Sequence, residues 1–432
     1  MRVGKKFDIS SASTSVSTVV VGIGNMFVMG IGMIATILLM RTFNPEDYGV
    51  IITLITMMTV IPVFMDFGTT ASIIRFGPMF EKKGLIFRKN RLFRSMFYLR
   101  LILGIALLFV MLFFVNSLSN LFFHSEGYSH YIIFALIGSL FVAFMQFAVC
   151  ILQSNEQFFA MTGIKLVEAF YKILFVVGLV YYISKPQPGQ AILIYATAPL
   201  AALFVLGFKI PKELFVGRID LKELKLLFHF SFWFMVSRVS LMIFMNFDVL
   251  FLAAFAQPEE VGYFGSGFKI ASILYLVVNA ITTVLMPQIG KKLTAHELQN
   301  FLKKTIYVCL FLGLCMSPIA AFGGSFIPFI AGEKYIPAIP VFSLVAWDHV
   351  AMVIFTPFML ALFAVNRPRL FAAFSLLEMI LNVVGDIIFV PLYGAVGAAA
   401  VTLSVRIING VIGSFFMLYK FRSDPDFTRE IF

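Results

Sequence analysis

Residues 16–51 read VSTVVVGIGNMFVMGIGMIATILLMRTFNPEDYGVI, an apolar run followed by a short turn that contains charged residues and proline. The run, residues 16–40, carries no charged residue and is long enough to cross a hydrocarbon core of about 30 Å as an α-helix. It is too long for the core of a signal peptide and lacks a small-residue cleavage site, so we expect a retained first span. Similar runs recur along nearly the whole chain.

The composition of the whole chain points to the same environment. Of its 432 residues, 60% are hydrophobic, 13% are charged and 53 are Phe. Soluble domains have about 25% charged residues, so a water-soluble fold is excluded. We predict an all-α, polytopic membrane protein of about twelve transmembrane helices, with no separate soluble domain.

The basic residues are distributed unevenly between the predicted connections. With the N-terminus in the cytoplasm, most of the 33 Lys and Arg fall on the cytoplasmic side, and only Arg41, Lys185 and Lys334 fall outside. Short basic loops resist translocation, so this pattern predicts a multi-pass protein of the cell membrane with both termini in the cytoplasm. The net charge of +11 is thereby explained without a nucleic-acid partner.

The turn that follows the first span recurs in the second half of the chain. PEDYG at residues 45–49 corresponds to PEEVG at residues 258–262. We predict two six-helix lobes of the same orientation, related by a pseudo-two-fold axis along the membrane normal, with the substrate site between them. The predicted boundaries are 1–210 for the first lobe, 211–225 for a cytoplasmic linker and 226–432 for the second lobe. In both turns, the acidic residues are expected to lie at the positive end of the following helix.

Several basic residues lie inside predicted spans, where each costs about 2.5–3.5 kcal/mol unless it faces a cavity or a partner. Lys165, Glu168 and Lys172 are spaced so that they share one helical face. This face either lines an aqueous cavity or holds helices together through ion pairs. Arg100 is placed near a cytoplasmic helix end, so we expect it to extend toward water. The candidate cavity cations are Arg75, Lys165, Lys172, Arg238, Lys269 and Arg406.

Acidic and amide side chains also lie inside the predicted spans. The carboxyl groups either couple transport to an ion gradient or neutralise the basic residues. The amides either line the cavity or bridge helices. The embedded acids are Asp66, Glu168, Asp248, Glu378 and Asp386, and the amides are Asn25, Asn246, Asn279 and Asn382.

Signatures of catalysis are missing from the sequence. It has no GxxxxGK[ST] nucleotide loop, no His/Glu zinc pattern and no GxSxG motif. Cys150, Cys309 and Cys315 lie in apolar runs without metal-ligand spacing, so we expect buried, reduced thiols. We therefore expect a secondary transporter that has no metal or cofactor and is not an enzyme.

Four segments resemble the polysaccharide-transporter family, the lipid-linked oligosaccharide (O-antigen type) flippases of the multidrug/oligosaccharidyl-lipid/polysaccharide exporter superfamily. They are LLMRTFNPEDYGVIITL (38–54), MDFGTTASIIRF (65–76), FDVLFLAAFAQPEEVGYFGSGFKIA (247–271) and IIFVPLYGAVGAAAVTLSVRI (387–407). The resemblance implies twelve helices in two lobes around a central cavity and a polyprenyl (pyro)phosphate substrate that bears a sugar chain. Arg75 lies in DFGTTASIIR and Lys269 lies in GYFGSGFKIA, and the other assignments rest on charge.

The resulting hypothesis is translocation of a lipid-linked oligosaccharide to the outer leaflet by alternating access, for assembly of cell-surface polysaccharide or glycan. Its partners would be membrane lipids and the glycosyltransferases or polymerase of the same pathway. A multidrug or cation antiporter of the same superfamily is the first alternative, although cationic drugs favour an acidic, aromatic cavity. The second is an integral-membrane glycan polymerase or ligase, which should carry a large external loop, whereas the longest external connection predicted here is residues 116–130.

Overall fold

The structure is a computed structural model, and it describes residues 14–206, 221–289, 295–364 and 368–423. We call residues 14–206 the N-terminal half and residues 221–423 the C-terminal half. The N-terminal half contains α1 Thr14–Thr42, α2 Pro45–Asp66, α3 Thr69–Lys82, α4 Ile86–Phe113, α5 Val115–Phe123, α6 Ser129–Ser154, α7 Phe158–Tyr182 and α8 Pro188–Leu206. The C-terminal half contains α9 Leu221–Phe255, α10 Pro258–Ala271, α11 Tyr275–Ile289, α12 Ala295–Phe322, α13 Ile327–Ala331, α14 Ile339–Ala364 and α15 Pro368–Ser423. The described residues form helices and short connections without a β-strand.

The chain is a multi-pass membrane protein. Within the described ranges, 10 segments are long and apolar enough to cross a membrane. The longest, Ala372–Tyr419, has 48 residues and is interrupted at Gly394, whose φ of 54° and ψ of −134° are not helical. Helix α7 is not among the ten, and it carries Lys165, Glu168 and Lys172. The count of twelve spans therefore stays a prediction.

The repeated turns begin helices as the sequence predicts. Asn44 precedes α2, and its side-chain oxygen accepts a hydrogen bond from the backbone N–H of Asp47 at 2.7 Å. Proline lies in the first turn of both α2 and α10, where its missing N–H and fixed φ cost nothing. Both first turns also carry two acidic residues, which favour the positive end of the helix dipole.

Two predicted elements differ from the structure. The apolar pattern of residues 48–74 predicts one continuous span. The structure breaks it, because Phe67 and Gly68 adopt left-handed conformations with φ of 42° and 80° and end α2. The predicted external connection, residues 116–130, contains helix α5 and a short 3₁₀ turn. Part of the predicted linker, residues 211–220, lies outside the described residues, and residues 221–225 belong to α9.

The two halves meet along α2, which packs against α9 and α10, and along α1, which touches α10, α11 and α13. Tyr48 and Leu54 of α2 share one buried cluster with Phe264 of α10. We call the end of the bundle where α1 passes to α2 and α9 passes to α10 the outer end, and the opposite end the inner end. The interface between the halves is therefore well packed at the outer end.

Candidate functional site

The three charged residues of α7 share one face and have partners on it. Lys172 Nζ lies 2.5 Å from Glu168 Oε1, four residues earlier in the same helix. Lys165 Nζ donates to Asn25 Oδ1 of α1 at 3.3 Å. The ring of Tyr195 lies 5.1 Å from Lys172 Nζ and supplies a second favourable contact for the cation. The face thus combines an ion pair with a lysine that reaches a neutral amide.

A cavity of about 410 Å³, which we call the inner cavity, lies between the two halves. The N-terminal half contributes Asn25 and Lys165 to its wall, and the C-terminal half contributes Asn279 and Thr283. The other lining residues are Gly22, Met26, Val28, Met29, Leu276 and Ala280. The cavity therefore has apolar walls with a few polar groups, as binding cavities commonly do.

Lys269 of α10 adds a third ammonium group. It is half-buried, and no hydrogen bond or ion pair of its ammonium occurs within the described ranges. Lys172 is near enough to act on it electrostatically. Among the described residues, Glu168 is the one carboxylate near Lys165, Lys172 and Lys269. The group carries an excess of positive charge.

A second charge cluster surrounds Asp66 at the break between α2 and α3. Arg100 donates to Asp66 Oδ1, and Thr69 and Thr70 donate to the same oxygen at 2.7 Å each. Arg100 is 1% exposed, so the expectation that it extends toward water is wrong. The reason is that α4 begins at Ile86, which places Arg100 deep within the helix.

Arg238 of α9 brings the C-terminal half to this cluster. Its Nη1 lies 3.8 Å from Asp66 Oδ2, and its side chain is 46% exposed. Asp66 therefore faces two arginines, one of which is accessible. Arg75 lies on the exposed surface of α3, with its guanidinium 5.7 Å from the ring of Phe76, and it does not line the inner cavity.

Arg406 lies in a third cluster, inside the C-terminal half. It donates from Nε to Asp348 Oδ1 at 2.9 Å and from Nη1 to Glu378 Oε1 at 2.5 Å. A cavity of about 210 Å³ is lined by Glu378, Arg406 and Asn409. His349 Nδ1 lies 3.9 Å from Asp348 Oδ2 and donates a hydrogen bond to the carbonyl oxygen of Val345 at 2.6 Å. Two carboxylates thus share one guanidinium, so the charge of Arg406 is already compensated.

Asp248 and Asp386 form a fourth cluster, which has no cation within the described residues. The two carboxyl groups lie next to each other, with Asp386 0% and Asp248 3% exposed. Thr402 Oγ1 donates to Asp248 Oδ2 at 2.6 Å. Asp386 and Asn382 lie close to Asp248, but Asp248 Oδ1, both carboxyl oxygens of Asp386 and both polar atoms of Asn382 form no hydrogen bond of good geometry within the described ranges. Buried oxygens without partners are costly, so this cluster calls for a proton or a cation.

Some residues of these clusters escaped the sequence analysis. Asp348 and His349 interrupt an apolar run, and that interruption was a usable signal. Thr402 gave no signal, because a threonine in a span is common. Cys150 and Cys309 are buried as expected, but Cys315 is exposed on the same face of α12 as Phe311, so its expected burial is wrong. The described residues hold no group of three or more His, Cys, Asp or Glu suited to a metal ion.

The chain is similar to known membrane transporters. It is 21% identical over 200 residues to the probable low-salt glycan biosynthesis flippase Agl15 of Haloferax volcanii, a match that covers 45% of this chain and 42% of the relative. The chain thus spans less than half the length of that relative. The structure of the lipid II flippase MurJ in an inward closed conformation matches with a TM-score of 0.76, 16% identity and coverage of 96% and 90%. An inward-facing multidrug resistance MATE transporter matches with a TM-score of 0.69, 15% identity and coverage of 95% and 98%.

These two structural matches establish the fold, which is the all-helical transporter fold that both solved structures share. The sequence profile of the family described as polysaccharide biosynthesis protein matches residues 16–292. That range contains both repeated turns, the lysines of α7 and α10 and the Asp66 cluster. It covers more than half of the chain, and the chain therefore belongs to the polysaccharide biosynthesis protein family.

Proposed function

We propose that the protein is a flippase that moves a polyprenyl-(pyro)phosphate-linked oligosaccharide across the cytoplasmic membrane, and that it is not an enzyme. The observation that carries this proposal is the excess of ammonium groups over carboxylates where α7 and α10 approach each other, close to a cavity between the two halves. A hydrated anionic headgroup cannot cross hydrocarbon alone, whereas its lipid tail can remain in the bilayer. Basic side chains compensate the phosphate charge during passage.

The substrate site in this proposal comprises Lys165, Lys172 and Lys269, with Arg238 as a further phosphate contact. Asn25 and Asn279 supply neutral hydrogen-bonding groups for sugar hydroxyls. Arg75 and Arg406 contribute less, since Arg75 lies on the exposed surface of α3 and Arg406 is held by two carboxylates. The family membership and the description of one relative as a probable glycan biosynthesis flippase support this substrate class.

The orientation follows from the charge distribution along the sequence. The inner end faces the cytoplasm, with both termini on that side, because the basic connections lie there. The N-terminal and C-terminal lobes, 1–210 and 226–432, rock about the loaded cavity and expose it alternately to the two leaflets. Glycosyltransferases that build the oligosaccharide on the cytoplasmic side, and a polymerase on the outer side, are the partners that this cycle requires.

The Asp248 and Asp386 pair serves as the coupling site in this proposal. A small monovalent cation, a proton or sodium, would compensate two adjacent carboxyl groups and use the unpartnered oxygens of Asp386 and Asn382. Glu168, Asp66 and Glu378 are paired with basic residues, and the charge-pairing alternative applies to them. The anion and the coupling cation thus bind in separate places.

Transfer of the headgroup in reconstituted vesicles tests the proposal. A fluorescent polyprenyl-pyrophosphate oligosaccharide is incorporated, and the headgroup left inside is measured with a membrane-impermeant quencher. The double variant Lys165→Gln, Lys269→Gln removes two ammonium groups that bond to no carboxylate of the described residues, and it leaves the Lys172 and Glu168 pair intact. We expect transfer to slow by about tenfold or more, which corresponds to about 1.4 kcal/mol of lost stabilisation.

Lys185→Gln is the matched control, because Lys185 is exposed in the connection between α7 and α8. It should transfer the headgroup at the wild-type rate. A correctly folded double variant with wild-type transfer would contradict the proposal. Transport of a lipophilic cation, unaffected by the double variant, would instead favour the multidrug antiporter.

A further inference from the structure

Two basic residues at the outer end bridge the two halves. Arg41 lies in the last turn of α1, and its side chain crosses to the C-terminal half. Its Nη2 donates to the carbonyl oxygen of Phe329 at 2.7 Å, and its Nε donates to that of Ile330 at 2.9 Å. Both acceptors belong to α13, so the residue that ends one helix binds the end of another.

Lys334 of the C-terminal half makes the reverse connection. Its Nζ donates to the carbonyl oxygen of Arg41 at 3.1 Å and to that of Phe43 at 2.5 Å. The hydroxyl of Tyr335 also donates to the carbonyl oxygen of Phe43, at 3.2 Å. These acceptors lie at the end of α1, so each half supplies the cation that completes a helix end of the other half.

These hydrogen bonds from one half to the helix-end carbonyl groups of the other have a clear physical basis. The last carbonyl groups of an α-helix have no partner within the helix and form the negative end of its dipole. Basic side chains satisfy such carbonyls, usually from within the same helix. Here the donors come from the opposite half, so the bonds exist only while the outer ends of the two halves are together.

The contact beneath these side chains is tight. A Cβ atom on Gly49 would collide with the carbonyl oxygen of Pro258, and one on Gly262 would collide with that of Pro45. The ring of Tyr48 meets that of Tyr335 edge to face, with centroids 6.0 Å apart. Both tyrosines are 0% exposed, so the outer end is closed between the halves at this point.

We infer that Arg41 and Lys334 form a reversible latch that holds the outer end closed while the inner cavity is available. Both residues are exposed, so water can replace each of their hydrogen bonds when the halves separate. The close contacts of Gly49 and Gly262 allow the outer ends of the halves to pack together. The two cations determine the fraction of molecules in which the outer end is closed. Only the link to transport rests on the proposed function, since the latch itself is a property of the conformation.

Distance measurements between spin labels test the latch. The labels are placed by Tyr182→Cys at the outer end of α7 and Tyr393→Cys at the outer connection within α15, in a chain whose native cysteines are replaced. Both positions are well exposed, at 89% and 63%. In membranes, Arg41→Ala with Lys334→Ala should increase the ratio of outer-open to outer-closed molecules by about tenfold, equivalent to about 1.4 kcal/mol.

Lys185→Ala removes an exposed cation at the outer end that does not bridge the halves. It should leave the distances between the spin labels at their wild-type values. An unchanged distance distribution in a folded Arg41→Ala, Lys334→Ala protein would overturn the latch. An equal shift in Lys185→Ala would also overturn it, since loss of charge alone would then be the cause. Because no substrate is needed, the outcome is independent of whether the protein flips a lipid-linked oligosaccharide.

Discussion

Arg100 of α4 donates hydrogen bonds to Asp66 at the end of α2 and to Thr69 at the start of α3, so one buried guanidinium joins three helices. It also donates to the carbonyl oxygen of Ala143 in α6 at 3.1 Å. Asp66 Oδ1 accepts a hydrogen bond from the backbone N–H of Thr70 at 3.0 Å, and Arg100 compensates the charge of that carboxylate. This arginine therefore stabilises an irregular segment within the membrane region.

The Asp66→Asn variant tests this role. Removing the carboxylate leaves the charge of Arg100 buried without a counter-charge, and breaking a buried pair in this way costs about 3–5 kcal/mol. We expect a clearly lower thermal unfolding midpoint of the purified protein in detergent. Glu156→Gln, which removes an exposed carboxylate, should not change the midpoint. Equal unfolding midpoints for the wild type, Asp66→Asn and Glu156→Gln would contradict a stabilising role of the Arg100 and Asp66 pair.

Compensated and uncompensated cations should respond differently to substitution. Arg406→Gln leaves Asp348 and Glu378 without their shared cation, so we expect stability to fall by about 3–5 kcal/mol. Lys269→Gln removes a half-buried cation that has no bonded carboxylate in the described part, so stability should be unchanged or higher. Thermal unfolding in detergent measures both. A larger loss of stability for Lys269→Gln than for Arg406→Gln would contradict the assignment of Arg406 as the compensated cation.

The Asp248 and Asp386 pair should respond to sodium. If sodium binds the folded protein there, a concentration of 100 times the dissociation constant adds about 2.7 kcal/mol of stability. We expect sodium chloride, compared with choline chloride, to raise the unfolding midpoint of the wild type but not of Asp386→Asn. Glu156→Gln should respond as the wild type does. A sodium response that survives in Asp386→Asn would place the cation elsewhere.

The glycine contact at the outer end predicts a gating phenotype. Gly49→Ala adds a methyl group against the carbonyl of Pro258, and overpacking of this kind costs about 1–3 kcal/mol. The outer end should then remain open in more molecules, as measured by the labels at positions 182 and 393. Gly32→Ala is the matched control, because a Cβ atom at Gly32 meets nothing within 4 Å. Identical label distances in the two variants would be the contrary result.

The sequence predicted that the turns at residues 45–49 and 258–262 place acidic residues at the positive end of the following helix, and both helices carry them in the first turn. It did not predict the break at Phe67 and Gly68, since a single glycine in an apolar run is usually accommodated within a helix. Local pattern therefore identified where the membrane helices begin better than where one of them is interrupted.

The sequence predicted the part of the candidate site that depends on spacing along one helix. Spacing alone placed Lys165, Glu168 and Lys172 on one face, and the structure has them there. The depth of Arg100 in the membrane was harder to predict. Hydropathy alone predicts a span that begins at residue 95, whereas α4 begins at Ile86, and this difference of nine residues put Arg100 near water. Pairing across helices, such as that of Arg406 with Asp348, depends on tertiary packing and cannot be read from spacing.

The two repeated turns contact each other reciprocally: Gly49 packs on Pro258, and Gly262 packs on Pro45. This reciprocal contact has an evolutionary consequence. When two copies of one motif touch each other through the same atoms, the surface is complementary to itself, as in an isologous dimer. An ancestor that carried one such turn would already have had a surface able to pair with a second copy of itself. Fusion of two such genes would then have preserved a working closure from the outset.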